Sequence, residues 1–139
     1  ARALLESQII SSDPRDQFVT LREFVPQENL PGFLRESDLF IFASSCENMP
    51  NTLVEAMAAG LPIACSNRGP MPEVLKDGGV YFDPEIVESI CSAIELLILD
   101  KNKRNQVSAK AKELSRQYSW VRCAHETFNF LRQVWNQVK

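Results

Sequence analysis

Two kinds of apolar pattern alternate along the chain. Phe18-Val-Thr-Leu-Arg22, Asp38-Leu-Phe-Ile-Phe-Ala43, Leu61-Pro-Ile-Ala-Cys-Ser66 and Val80-Tyr-Phe82 are short runs with the length and the β-branched or aromatic character of strands. Between and after them, apolar residues recur at three- and four-residue steps, as on one face of a helix. Such spacing joins Leu30, Phe33 and Leu34 within a helix over Gln27 to Ser37, and Ile86, Ile90, Ala93, Ile94 and Leu97 after Asp83-Pro84, where the proline suits a first helical position. A basic helix over Lys101 to Arg116 has a thin stripe of Val107, Ala111 and Leu114 and an otherwise solvated face. Trp120 opens a last helix whose Ala124, Phe128, Leu131 and Trp135 read as core, with His125 a packing or surface residue. Ala1 to Ile10 is a short helix, Ser11 to Asp16 a connector, and Asp77-Gly-Gly79 a tight turn. Alternating strand and helix predicts an α/β fold, a Rossmann-like parallel sheet of four strands with right-handed crossovers and helices on both faces.

One stretch, Ser44 to Gly60, stands at the centre of this pattern. It follows a buried strand, and its Pro50 suits a helix start, with Asn51 at an N-cap or first-turn position. Leu53 to Ala59 continue with good helix formers until Gly60 and Pro62 end the helix. A helix N-terminus at the end of a parallel strand offers unpaired amides, here those of Asn51 to Val54, and a partial positive charge to a phosphate or diphosphate. Glu47 lies in the loop ahead of that terminus and Glu55 in the first turns after it. Carboxylates only accept and repel phosphate, so this pair suits hydroxyl donors. Diphosphate and polyol groups together describe a ligand such as a nucleotide sugar. Spacing alone carries none of this: Glu28 and Glu36 stand equally far apart on what reads as a solvated helix face. The loop Asn67-Arg-Gly-Pro-Met-Pro72 leaves the next strand at the same sheet edge and should neighbour the Glu47 loop. Its Arg68 is either a cation for a phosphate or a plain surface residue, and Glu73 suits the helix dipole as well as a ligand.

Composition narrows the classes further. A chain of 139 residues is one domain with a genuine core, and a net charge of −3 advertises neither nucleic acid nor an anionic membrane as partner. Cys46, Cys65, Cys91 and Cys123 are widely spread and have a single histidine to join them, which excludes the common zinc signatures and suggests reduced thiols in a cytosolic protein. Cys46 adjoins Glu47 without a visible base or cation and reads as structural. No apolar run reaches the ~18 residues of a membrane span.

Glu47 to Glu55, followed by Ala56-Met-Ala-Ala-Gly-Leu-Pro62, resembles the E-x7-E motif and adjoining segment of retaining glycosyltransferases with the GT-B fold, family four (glycosyl transferases group 1). Phe24-Val-Pro-Gln-Glu-Asn-Leu30 with Ser37-Asp38-Leu-Phe-Ile-Phe is similar to the family's turn, helix and strand. Ser44 matches the serine of its Pro-Ser pair, Gly69-Pro-Met-Pro-Glu-Val74 its GG-x-x-E segment and Tyr118-Ser-Trp120 its C-terminal "fsW". The likeness spans about residues 18 to 135.

The resemblance implies that residues 1–139 form the C-terminal, nucleotide-sugar-binding half of a GT-B enzyme, truncated of its first strands and of an N-terminal acceptor domain. Glu47, Asn48, Met49 and Pro50 would then meet the donor sugar, Asn51, Thr52, Leu53 and Val54 the diphosphate, and Glu55 the ribose. No catalytic residue is assigned, because that centre is shared with the absent domain, and the isolated fragment is expected to be inactive. Asn48 stands where many members have glycine, which bears on sugar choice, and Glu23 replaces a glycine near the nucleotide base, alongside Phe24 and Val25. The expected donor is a UDP- or GDP-sugar, transferred with retention and without a metal or other cofactor. The acceptor would be lipid-linked or polysaccharide, in bacterial lipopolysaccharide O-antigen or capsule synthesis, with the longer protein cytoplasmic and peripheral to the inner face of the membrane. A nucleotide-sugar epimerase of the same architecture and a non-catalytic nucleotide-binding module are the alternatives.

Overall fold

The computed structural model describes residues 2–22 and 24–137 and divides into two units, residues 1–30 and 31–139. In the first unit, helix α1 (Arg2–Ser12) runs two residues past the expected end. Asp13 follows it, and its carboxylate accepts from the backbone amides of Gln17, Phe18 and Val19 at 2.8–2.9 Å. Those bonds explain a correction. Phe18 to Arg22, expected as a strand, form no ladder, since two of their amides already point at Asp13. Glu23, the substituted glycine position, lies outside the described residues.

The second unit contains the sheet. Strands β1 (Phe40–Phe42), β2 (Ile63–Ser66) and β3 (Val80–Phe82) are parallel in the order β1-β2-β3, so the described residues hold three strands rather than the expected four. Phe40 pairs with Ile63 and Ala64 with Val80, which sets the register. β2 is central, and all its residues are buried. Helix α2 (Leu30–Glu36) precedes the sheet, buries Leu34, and is shorter than the expected 27–37.

Ala64, Val80 and Phe82 on one face pack with Ala93, Ile90, Ile94 and Leu97 of α5 (Val87–Leu99) and Val107 of α6 (Lys101–Ser115). The other face carries Cys65 and Tyr81, and the Tyr81 hydroxyl donates to the carbonyl of Lys76, just past α4 (Met71–Leu75), at 2.6 Å. Helices thus cover both faces, as the alternating pattern predicts. Burying a side chain such as Phe82 or Leu97 contributes about 1.5–3 kcal/mol each, so this two-sided core dominates the unit's stability.

The turns explain the remaining boundaries. Asp83 accepts from the amide of Glu85 at 3.1 Å, and its carbonyl accepts from Ile86. This local turn delays α5 to Val87, so Pro84 precedes the helix instead of opening it. Asp100 ends α5 and caps α6 by accepting from Lys103 N at 2.9 Å. Arg104 donates to the carbonyls of Leu97 and Ile98, closing the C-terminus of α5. Ser108 Oγ donates to Gly60 O at 2.6 Å, and Gly78 abuts Ala111. Both glycines precede strands, so α6 lies across the N-terminal edge of the sheet and leaves the C-terminal edge to loops.

Helix α7 (Trp120–Gln137) overturns one expectation. It forms where the pattern placed it, yet none of its residues is buried, and Phe128, Leu131 and Trp135 are exposed rather than core. Periodicity identifies an apolar face without identifying what covers it.

Three outcomes follow. A Cβ at Gly78 would sit 2.9 Å from Ala111 Cα and Leu75 O, so Gly78→Ala is expected to destabilise by about 1–3 kcal/mol. At Gly32, inside α2 with open space around it, Gly32→Ala should stabilise by about 0.5–1 kcal/mol, and urea unfolding of both variants checks the opposite signs. For Asp13, burial pushes the carboxyl up but the three backbone donors outweigh it and hold it below the ordinary aspartate value. A depressed folded value means the contribution is present above the unfolded value of ~3.9 and is lost as pH falls through the folded one. Amide exchange at Gln17, Phe18 and Val19 should therefore stay protected below pH ~4, and Asp13→Asn should abolish that resistance.

Candidate functional site

Three loops leave the C-terminal edge of the sheet: residues 43–50 after β1, 67–70 after β2 and 83–86 after β3. Parallel strands release the chain at one edge, which is where ligands of open α/β sheets bind. The first loop leads into α3 (Asn51–Ala59), whose apolar Leu53, Ala56 and Met57 are buried while Asn51 and Thr52 face solvent. Gly60 ends α3 in the left-handed conformation at φ 78°, its amide bonded to Met57 O and Leu61 N to Ala56 O.

Pro50 is the N-cap, one position earlier than expected, and no side chain caps the helix. The expected four free amides reduce to two. Asn51 N donates to Met49 O at 2.9 Å and Val54 N to Pro50 O at 3.1 Å. The amides of Thr52 and Leu53 are left without a backbone partner among the described residues. Burial of Pro50 anchors the turn, whereas Asn48 and Met49 are exposed at its rim.

Glu47 and Glu55 are both half-buried, and among the described residues neither carboxylate takes part in a hydrogen bond or ion pair. Partly desolvated acceptors without protein donors are suited to hydroxyls from outside. The expected neighbour loop is present: at Gly69, with φ 53°, a Cβ would lie 4.0 Å from the backbone nitrogen of Glu47 and 3.7 Å from Met71 Cε. Ser44 Oγ lies 3.4 Å from the carbonyl of Cys46.

Arg68, read either as a cation for a phosphate or as a plain surface residue, is half-exposed and ion-paired. Its Nη2 lies 3.1 and 2.9 Å from the two oxygens of Asp83, with Glu85 at 3.9 Å. The Glu85 amide and the Arg68 guanidinium hold the Asp83 carboxyl below its ordinary value, against burial that pushes it up. Sequence reasoning missed Asp83; the Asp-Pro after a strand was read only as a helix start. Glu73 sits in the first turn of the short α4, exposed, and its charge faces the Tyr118 phenol, which burial and then Glu73 push up. His125 lies on exposed α7, 3.0 Å from Asn129 Nδ2. Phe24 is exposed and Val25 half-buried, both in the first unit.

A parallel α/β sheet covered by helices on both faces, with its loops gathered at one edge, defines a Rossmann-like class of fold, and comparison with known proteins specifies it. The chain belongs to the family of glycosyl transferases group 1, whose model matches residues 4–114. It is 30% identical over 122 residues to O-antigen chain mannosyltransferase B of Escherichia coli, covering 88% of this chain and 32% of that protein. It is 34% identical over 111 residues to spore coat protein SA of Bacillus subtilis, covering 76% and 29%. The chain therefore spans about a third of the length of these relatives. Among solved structures it is similar to a sucrose-phosphate synthase from Thermosynechococcus elongatus, with TM-score 0.85 at 19% identity over 98% of this chain and 35% of that one. The Anabaena protein HepE in complex with UDP-glucose gives TM-score 0.82 at 21% identity over 94% and 36%. The fold is that of a GT-B half, as the motif resemblance implies.

The cysteines differ sharply in this setting. Cys65 is fully buried in β2, which pushes its thiol up to about 12, whereas Cys46, Cys91 and Cys123 are exposed. A thiol reagent at pH 8 is expected to titrate those three in the folded chain and the fourth only after unfolding. Reaction of Cys65 at the same rate would contradict the packing of β2.

Proposed function

We propose that this chain is the C-terminal, donor-binding part of a retaining family-four glycosyltransferase, and that it binds a nucleoside diphosphate sugar at the C-terminal edge of its sheet. In the longer protein the sugar passes with retention to an acceptor hydroxyl. The observation that carries this reading is the pair of half-buried, unpartnered carboxylates, Glu47 and Glu55, on either side of a helix start that keeps the Thr52 and Leu53 amides unspent. Departure of the diphosphate leaves negative charge, and amides already fixed in direction stabilise that charge where it forms. Glu47 accepts from donor-sugar hydroxyls, with Asn48, Met49 and Pro50 shaping the sugar end. Glu55 accepts from the ribose. The turn of Asn51 to Val54 faces the diphosphate, chiefly through Thr52 and Leu53.

UDP and GDP are the two candidate nucleotides. The Anabaena neighbour holds UDP-glucose and the E. coli relative is named a mannosyltransferase of O-antigen chains. That second name supports a lipid-linked or polysaccharide acceptor in cell-surface polysaccharide synthesis, handled in the cytoplasm at the inner face of a membrane. No described helix is long and apolar enough to cross a membrane. Transfer without a metal ion is part of the proposal by family resemblance. This chain by itself is proposed to bind donor without turnover.

Calorimetry with UDP, GDP, UDP-glucose and GDP-mannose tests the assignment. Glu55→Ala should weaken the nucleotide itself by about ten- to hundredfold, the loss of charge-assisted bonds of ~1.5–3 kcal/mol. Glu47→Ala should remove only the increment that the sugar adds. Equal effects of both variants on nucleotide and sugar nucleotide would refute the division of roles, and binding by neither the chain nor a longer form would refute the donor site.

A further inference from the structure

We propose that Asp83 is a positioning residue for the donor site, holding Arg68 and, through it, the Asn67–Pro70 loop against the backbone of Glu47; this rests on the donor-site reading above. Asp83 is remote in sequence from the Glu47 motif, and the path between them runs through named contacts. β2 and β3 end side by side, Ser66 opposite Phe82, and their pairing continues one residue further because Asn67 N donates to Phe82 O at 2.9 Å. The chain then turns, with Arg68 N donating to Ser66 Oγ at 3.2 Å. That turn sends the Arg68 side chain toward the β3 loop, where Nη2 meets both Asp83 oxygens. Asp83 is itself fixed: its amide donates to Ser89 Oγ at 3.0 Å, and its Oδ1 also accepts from Glu85 N. With Arg68 anchored on one side, Gly69 enters its left-handed turn beside the Glu47 loop, where a Cβ added to it would lie 4.0 Å from Glu47 N.

The device has a chemical consequence as well as a mechanical one. An arginine one residue from a turn beside Glu47 would otherwise be free to pair with that carboxylate and quench it as a hydroxyl acceptor. Arg68 instead meets two acidic side chains of the β3 loop, Asp83 at 2.9 Å and Glu85 at 3.9 Å. Asp83 thereby keeps Glu47 vacant for sugar and sets the loop that borders it.

The test uses the whole chain with Asp83→Asn, Arg68→Gln, Arg68→Lys and the Asp83→Asn/Arg68→Gln double variant. In 15N–1H spectra without ligand, Asp83→Asn should move the Gly69 and Glu47 amides. An unmoved Glu47 amide overturns the strut whether or not nucleotide binds. In calorimetry with the four compounds above, Asp83→Asn and Arg68→Gln should each lower the advantage of sugar nucleotide over bare nucleotide by about three- to tenfold. Bare nucleotide should change less than about twofold, the double variant should be no worse than either single one, and Arg68→Lys should recover part of the loss. If Arg68→Gln instead weakens bare nucleotide while Asp83→Asn strengthens it, Arg68 is a diphosphate ligand and the proposal fails. A wild-type chain that binds no nucleotide removes the donor-site reading and leaves the spectral result on the strut standing by itself.

Discussion

Burial of β2 along its whole length is the constraint on which the rest depends. A strand with both faces and both edges covered must be apolar or small throughout, as Ile63, Ala64, Cys65 and Ser66 are, and must have parallel neighbours on either side. Parallel neighbours in turn release three chain segments at one edge. The helices that return the chain cover the faces, and α6 occupies the opposite edge by way of Gly60 and Gly78. The C-terminal edge is left to the loops 43–50, 67–70 and 83–86, and that is where the chemistry-bearing side chains collect.

At that edge the local physics favours polarity with few internal partners. A proline side chain at the N-cap has no acceptor for the helix amides, so the start of α3 keeps two of them unspent while Pro50 itself is buried. An unmade bond at a rigid helix terminus is a different situation from one in a mobile loop, because no reorganisation is needed when an anion arrives. The same logic applies to Glu47 and Glu55, which are partly desolvated without protein donors. Two of its loops are tied to each other, through Asn67 to Phe82 and Arg68 to Asp83, and the third passes beside Gly69.

Much of this was legible along the chain. The strand-loop-helix unit around Glu47 could be read because Pro50, Gly60 and the apolar run before them each act locally. Helices α5 and α6 followed from three- and four-residue steps, and Asp100 between them is a local cap. The failures share a cause. Phe18 to Arg22 alternate like a strand, but the Asp13 carboxylate took the amides of Phe18 and Val19. Pro84 suits a helix start, but Asp83 made a turn of its own first. In both cases a side chain competed successfully with the backbone's regular partners, and periodicity is blind to that competition.

The amino-acid sequence by itself determined which segments form helix or strand in the second unit, which residues lie at the helix start, and the family motif they carry. These rest on interactions within a few residues, where propensity, capping and turn chemistry operate. Only the tertiary structure showed that Arg68 pairs with Asp83, that two amides and not four are unspent, and that the residues of α7 are not buried. Each of those depends on which groups meet across large sequence separations or at a particular angle. The order of residues along a strand or helix constrains such meetings but does not contain them.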